Sequence, residues 1–235
     1  MIRATCLVAA MVAVAAAARA DEGYQPLFNG KDMAGWKQFM PDKKVKPEDV
    51  WSVKDGVIVC AGGKKPAGYI VTEKEYANYV LKLQWRFPAD SKGGNSGVLL
   101  HVQQPDVVWP KSVEAQLQHG QAGDFWLIDA KLDIDRARNN PGSPRNYIRI
   151  GETWKKTERK DKNGKEIMDA VRKNVEKPIG EWNQYEIHCE GSNVKLMVNG
   201  QLVNEGINGE LAKGRIALQA EGADIHFRNI EIKLK

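Results

Sequence analysis

The chain predicts an all-β fold, a sandwich of two antiparallel sheets, and three observations carry that prediction. Short apolar-polar alternations with a period of two recur along most of its length, turn signals rich in Gly, Asn and Asp separate them, and helical periodicity is nearly absent. A sheet buried on one face alternates in just this way, because successive side chains point to opposite sides.

The elements follow in order. Residues 1–20 read as a secretory signal: a basic start at Arg3, an apolar run from Leu7 to Ala17, and a small-residue end at Ala18-Arg19-Ala20. The apolar run is too short to cross about 30 Å of hydrocarbon, so no stable membrane anchor is expected after cleavage. The mature domain then covers residues 21–235 and works in the periplasm or outside the cell. About 215 residues suit one large all-β domain, and no linker or internal repeat divides them.

Within that domain, Lys54-Asp55-Gly56 and Val198-Asn199-Gly200-Gln201 each join two strands as tight hairpins, since Asp-Gly and Asn-Gly supply the positive φ angles such turns need. Further strands are predicted at 69–72, 79–87, 182–189, 214–219 and 225–234. The segment 124–178 breaks the rhythm and reads as a long loop insertion, with a solvated Lys-rich turn around Asn163-Gly164. Cys60 and Cys189 lie in predicted strands, and either pair across neighbours or remain buried free thiols. Trp36, Trp51, Trp85 and Trp182 read as core or sheet-edge anchors.

Composition excludes one class of partner. Loss of Arg3 and Arg19 with the signal lowers Lys plus Arg from 35 to 33 against 30 acidic residues, so the net charge falls from +5 to +3. No basic stripe is interleaved with aromatics, so a nucleic-acid partner is not expected.

The most informative stretch is Asn95-Ser96-Gly97-Val98-Leu99-Leu100-His101, followed by Ser112-Val113-Glu114-Ala115-Gln116-Leu117-Gln118-His119. A period of two places Val98, Leu100, Val102, Val113, Ala115 and Leu117 in the core. His101, Glu114, Gln116 and Gln118 then share the opposite face, where an imidazole, a carboxylate and amides meet a polar ligand.

At these residues the chain resembles a known family. The opening Leu27-Phe28-Asn29-Gly30-Lys31-Asp32-Met33-Ala34-Gly35-Trp36, the 51–56 hairpin, Asn95-Ser96-Gly97, Glu114-x-Gln116, Gly180-Glu181-Trp182-Asn183, Leu218-Gln219 and Phe227-Arg228-Asn229-Ile230 are similar, in that order, to the secreted 3-keto-disaccharide hydrolase domain family. The resemblance implies a concanavalin A-like jelly roll with a carbohydrate site on one sheet, acting on glycosides oxidised at C3. The family commonly carries Arg where this chain has His101.

A ketone at C3 acidifies the hydrogen on C2. A base can remove it, the glycosidic oxygen on C1 leaves by elimination, and water adds to the resulting enone. His101 and Glu114 are the acid and base candidates, because an imidazole titrates near neutrality and burial raises a carboxylate into the same range. Asn95, Gln116, Gln118 and Gln219 would bind sugar hydroxyls, Trp109 or Trp126 would stack on a pyranose, and Glu221, Arg136 and Arg138 would reach in from loops. A divalent metal held by His101, Glu114 and His119 is a further possibility. Two other functions compete with this one: a non-catalytic carbohydrate-binding module, and a glucanase-type hydrolase. The second wants two carboxylates at i, i+2 or i, i+4, whereas Glu114 has Gln116 and Gln118 there.

Overall fold

The computed structural model describes residues 23–164 and 166–235, so the predicted signal lies outside the described residues. Among these residues the strands are β1 (Gln25–Pro26), β2 (Trp36–Phe39), β3 (Trp51–Lys54), β4 (Val57–Ala61), β5 (Gly68–Thr72), β6 (Tyr79–Arg86), β7 (Gly97–Val102), β8 (Ser112–Gln116) and β9 (Phe125–Ile128). The second half adds β10 (Asn139–Asn140), β11 (Ser143–Tyr147), β12 (Thr153–Lys160), β13 (Glu166–Val171), β14 (Asn183–Glu190), β15 (Asn193–Val198), β16 (Gln201–Gly206), β17 (Arg215–Ala220) and β18 (Asp224–Leu234).

Two large antiparallel sheets form. The back sheet runs β16-β15-β14-β6-β18-β4-β3, with β1 beside β18, and the front sheet runs β10-β11-β9-β8-β7-β17-β5-β2. Their inner faces meet in one core. Val98, Leu100, Val113, Ala115, Ile216 and Leu218 from the front pack with Leu81, Leu83, Trp85, Ile187, Leu196 and Phe227 from the back. Each large aliphatic or aromatic side chain removed from water here contributes about 1.5–3 kcal/mol.

The two hairpin turns have the expected chemistry: Asp55 and Gly56 take φ of 50° and 76°, and Asn199 and Gly200 take 49° and 80°. The Trp36, Trp51 and Trp85 side chains are buried in the core as predicted. Trp182 is half-buried instead, with the Arg86 and Arg228 guanidinium carbons 4.6 and 4.0 Å from its ring centroid. Cys60 and Cys189 are buried free thiols. They belong to β4 and β14, which β18 and β6 hold apart.

Two expectations are corrected. The segment 124–178 is not a plain loop: β9, β10 and β11 extend the front sheet, and β12 with β13 makes a separate hairpin. β10 and β11 are short and carry Asn, Pro and Arg, and β12 is almost wholly polar, so period-two reasoning finds no apolar alternation in them.

The second correction concerns His101. From Ala217 to Arg215, β17 takes two steps, while its partner β7 takes three, from Leu99 to Val102. The extra residue is a β-bulge, and His101 within it has φ of 53°. The alternation therefore flips. Val102 turns outward onto Tyr69 and Leu99, and His101 turns inward. Its ring is fully buried, edge-on to Tyr79 of the back sheet at 5.9 Å between centroids. Gly214 makes room for the bulge, since a Cβ there would stand 2.4 Å from the His101 carbonyl carbon.

Candidate active site

The outer face of the front sheet carries the site. Across β8, β7 and β17 the outward positions in one row are Gln116, Gly97 and Gln219, with Glu114 one pair further along β8. Gly97 leaves an opening, and two neighbours fill it. A Cβ on Gly97 would stand 2.2 Å from Gln219 Oε1 and 2.5 Å from Glu114 Oε1, so those oxygens lie within about 5 Å of each other by simple geometry.

Both groups are buried, at 4% exposure for Glu114 and 1% for Gln219. Glu114 Oε1 and both side-chain polar atoms of Gln219 have no hydrogen-bond partner within the protein, and neither has Asn95 Oδ1. Leaving such a group unsatisfied costs about 1–3 kcal/mol, so this concentration of unpartnered atoms marks a candidate ligand site. Burial pushes the Glu114 carboxyl well above the usual carboxylate range, and the negative charge of Glu221 acts in the same direction.

Glu221 follows β17 and is brought in by an antiparallel bridge to Asn95, two residues before β7. Its carboxyl is raised by burial and lowered in part by a hydrogen bond from the Asn95 side chain. Gln116 has committed its Oε1 to the backbone N–H groups of Leu117 and Gln118, at 2.9 and 2.8 Å, which leaves its NH₂ end for other partners.

These residues open into a hollow of about 860 Å³, large enough for a disaccharide. Asn95, Glu114, Gln116, Gln118, Trp109, Trp126 and Glu221 line it, as the sequence reading expects. Gln219 is buried behind this lining, next to Glu114 across Gly97. Trp109 is 44% exposed, and with Val107 and Val108 it forms one wall. That wall is anchored by the preceding residue: Arg215 Nη2 donates to Asp106 Oδ1 at 2.6 Å, and the Tyr69 hydroxyl donates to the same oxygen at 3.3 Å.

Four predicted site residues lie elsewhere. His101 faces the core, with Nδ1 3.0 Å from the Leu211 carbonyl oxygen, and burial holds its pKa below the ordinary value. His119 Nδ1 sits 3.3 Å from Glu176 Oε2 and edge-on to Phe87. The three metal candidates His101, Glu114 and His119 are therefore not brought together, and no cluster of three potential ligands occurs among the described residues. Arg136 is exposed in a short 3-10 turn. Arg138 is tied to Asn204 Oδ1 and the Glu205 carbonyl, beside a separate groove.

In their place Arg145 and Asp129 line the hollow, 3.7 Å apart, together with Ile128. Period-two spacing from Trp126 would have found Ile128. Arg145 lies on β11, whose Ser-Pro-Arg-Asn start reads as a turn and gives no strand signal.

The model of the 3-keto-alpha-glucoside-1,2-lyase-like domain matches residues 23–233, and the chain belongs to that family. A 3-keto-disaccharide hydrolase from Bacteroides thetaiotaomicron is 27% identical, over 91% of this chain and 79% of that protein. A crystal structure from Parabacteroides distasonis, provisionally named a glycosyl hydrolase, superposes with a TM-score of 0.60 at 26% identity, covering 93% of this chain and 96% of that one. The carbohydrate-binding module CBM66 of Bacillus subtilis shares the fold alone, at a TM-score of 0.54 and 8% identity over 85% of this chain and 95% of that one. The architecture is a concanavalin A-like sandwich, as the resemblance implied.

Proposed function

We propose that this protein is a periplasmic or secreted enzyme that cleaves 3-keto-glycosides by elimination across C2 and C1, followed by addition of water. The observation that carries this reading is the buried Glu114 carboxyl, which lines a sugar-sized hollow with its Oε1 unpartnered and stands next to the unpartnered Gln219 amide across Gly97. Burial favours the protonated form of this carboxyl, which suits it to act as an acid for the departing glycosidic oxygen. The Gln219 NH₂ is a neutral donor suited to the C3 oxygen, where negative charge develops once the C2 proton leaves. Trp109 and Trp126 supply apolar faces for the pyranose rings, and the family membership and the named relatives agree with this chemistry.

The test uses a 3-keto-disaccharide, its unoxidised parent, and the keto substrate carrying deuterium at C2. The wild-type protein is expected to release reducing sugar from the keto form alone, with a primary isotope effect at C2. Glu114→Gln keeps the volume of the side chain and removes the transferable proton, so turnover of the keto-disaccharide falls by about 10²- to 10⁴-fold with the circular dichroism unchanged. Binding of the sugar without turnover by the wild type would sink the enzyme reading and favour a binding module.

A second reading gains support from one observation. Glu221 supplies the second carboxyl that strand spacing around Glu114 lacks, and ordinary glycoside hydrolysis uses such a pair. That chemistry breaks no C2–H bond. Cleavage of the parent sugar without a C2 isotope effect would establish it instead.

A further inference from the structure

The elimination needs a base as well as an acid, and the hollow holds a second carboxyl in different surroundings. We propose that Glu221 is the base that takes the proton from C2, with Glu114 acting opposite it as the acid at the leaving oxygen. This assignment rests on the 3-keto-glycoside reading above and adds the division of labour between the two side chains.

Position is the first support. Glu114 stands on β8, in the middle of the sheet, where Gly97 opens a slot for it next to Gln219. Glu221 lies beyond the end of β17 and lines the same hollow, so a sugar ring in the hollow has one carboxyl on the floor and one at the rim. The bridge between Asn95 and Glu221 fixes that rim, and the Asn95 side chain donates to the Glu221 carboxylate. A donor of this kind favours the ionised form, which a base requires, whereas Glu114 Oε1 has no donor at all. Glu221 is half-buried and Glu114 is fully buried, so of the two it is Glu114 that holds the more strongly raised carboxyl. The charged groups that share the hollow with Glu221 are Glu114 from β8, Asp129 after β9 and Arg145 on β11, the last two facing each other at 3.7 Å.

The steps balance. Glu221 takes the C2 proton, and the C2–H electron pair forms the enolate of the C3 ketone. As the carbonyl re-forms, a double bond closes between C2 and C1, the C1–O bond breaks, and the leaving oxygen takes the proton of Glu114. Water then adds its oxygen to C1 and gives a proton to Glu114, while Glu221 returns its own to C2. Both carboxyls end as they began, and the sum is one hydrolysis.

The experiment crosses two variants with two leaving groups: a 3-keto-disaccharide, whose sugar departs only when protonated, and a 3-keto 4-nitrophenyl glucoside, whose phenolate departs unaided. Glu221→Ala is expected to lose about 10²- to 10⁴-fold on both substrates, because the C2 proton must leave in either case. Added formate restores part of that rate. Glu114→Gln is expected to lose the disaccharide reaction and keep the nitrophenyl one to within about tenfold by the same reasoning. In wild type, kcat/KM falls as pH drops through the Glu221 pKa and as pH rises through that of Glu114. In Glu221→Ala with formate the acidic limb moves to the pKa of formate.

A reversed pattern, with Glu221→Ala sparing the nitrophenyl substrate or formate rescuing Glu114→Ala, overturns the assignment while leaving the function intact. Failure of wild type to cleave either keto substrate overturns the function itself.

Discussion

Gly97 decides the shape of the site through a side chain it does not have. Its neighbours Glu114 and Gln219 lean over it from both sides, and a methyl group there would stand within 2.5 Å of an oxygen from each. Gly97→Ala is therefore expected to displace both side-chain ends and to lower turnover by about 100-fold, since misplacement of catalytic groups by an ångström has effects of that order. The ends of both side chains can shift, so the thermal midpoint should fall by only a few degrees, the cost of modest overpacking. A Gly97→Ala protein with wild-type turnover would show that the slot is not used. At this scale the sequence is legible where alternation is unbroken: Glu114 and Gln116 face outward as their spacing requires. It misleads at His101, because one bulged residue inverts the face of everything beyond it, and no local signal in Leu99-Leu100-His101-Val102 marks the bulge.

Elements position the walls of the hollow. The segment bearing Val107, Val108 and Trp109 has no strand of its own around it, and Asp106 fastens it to the sheet through Arg215 and Tyr69. The Arg215 side chain is 6% exposed and that of Asp106 is 34% exposed, so the pair is partly screened. Asp106→Ala leaves the guanidinium of Arg215 without its partner and is expected to cost about 1–2 kcal/mol after allowance for that screening. The larger effect should fall on binding. KM for the keto substrate is expected to rise about tenfold as the Trp109 wall loosens, with kcat changing less, as measured by steady-state kinetics. Equal losses in both constants would argue that the wall acts in the chemical step. The hairpin turns were readable because Asp-Gly and Asn-Gly have few alternatives, whereas the Asp106 anchor joins residues more than a hundred positions apart and leaves no trace in spacing.

At the scale of the whole molecule, the hairpin of β12 and β13 is held against the sandwich by a buried charge network. Arg149 Nε donates to Glu152 Oε1 at 2.7 Å, and Arg172 Nη1 donates to Asp124 Oδ1 at 2.6 Å and to Glu152 Oε2 at 3.0 Å. The Glu152 and Asp124 side chains are fully buried, and that of Arg149 is 3% exposed. Asp124 closes the turn that follows β8, and its backbone carbonyl accepts from Gln116 N, so the network underlies the site as well as the hairpin. Glu152→Ala takes from buried Arg149 its carboxylate partner and from Arg172 one of two, and is expected to cost about 3–5 kcal/mol, a fall of roughly 10 °C in the thermal midpoint for a domain of this size. A midpoint within about two degrees of wild type would show that the network is not a structural tie.

Alone, the sequence determined the fold class, the hairpins, the core-facing residues of most strands and the outward placement of Glu114 and Gln116. Those are consequences of local chemistry: a period of two, turns that need positive φ, and polar side chains set opposite apolar ones. Tertiary structure decided which of the candidates meet. It turned His101 into the core, sent Arg138 to another groove, brought Arg145 in on an unread strand, and placed Glu221 in the same hollow as Glu114. The physical reason is that register, bulges and strand order are fixed by how two sheets close over one core, and spacing along a single chain does not carry that information.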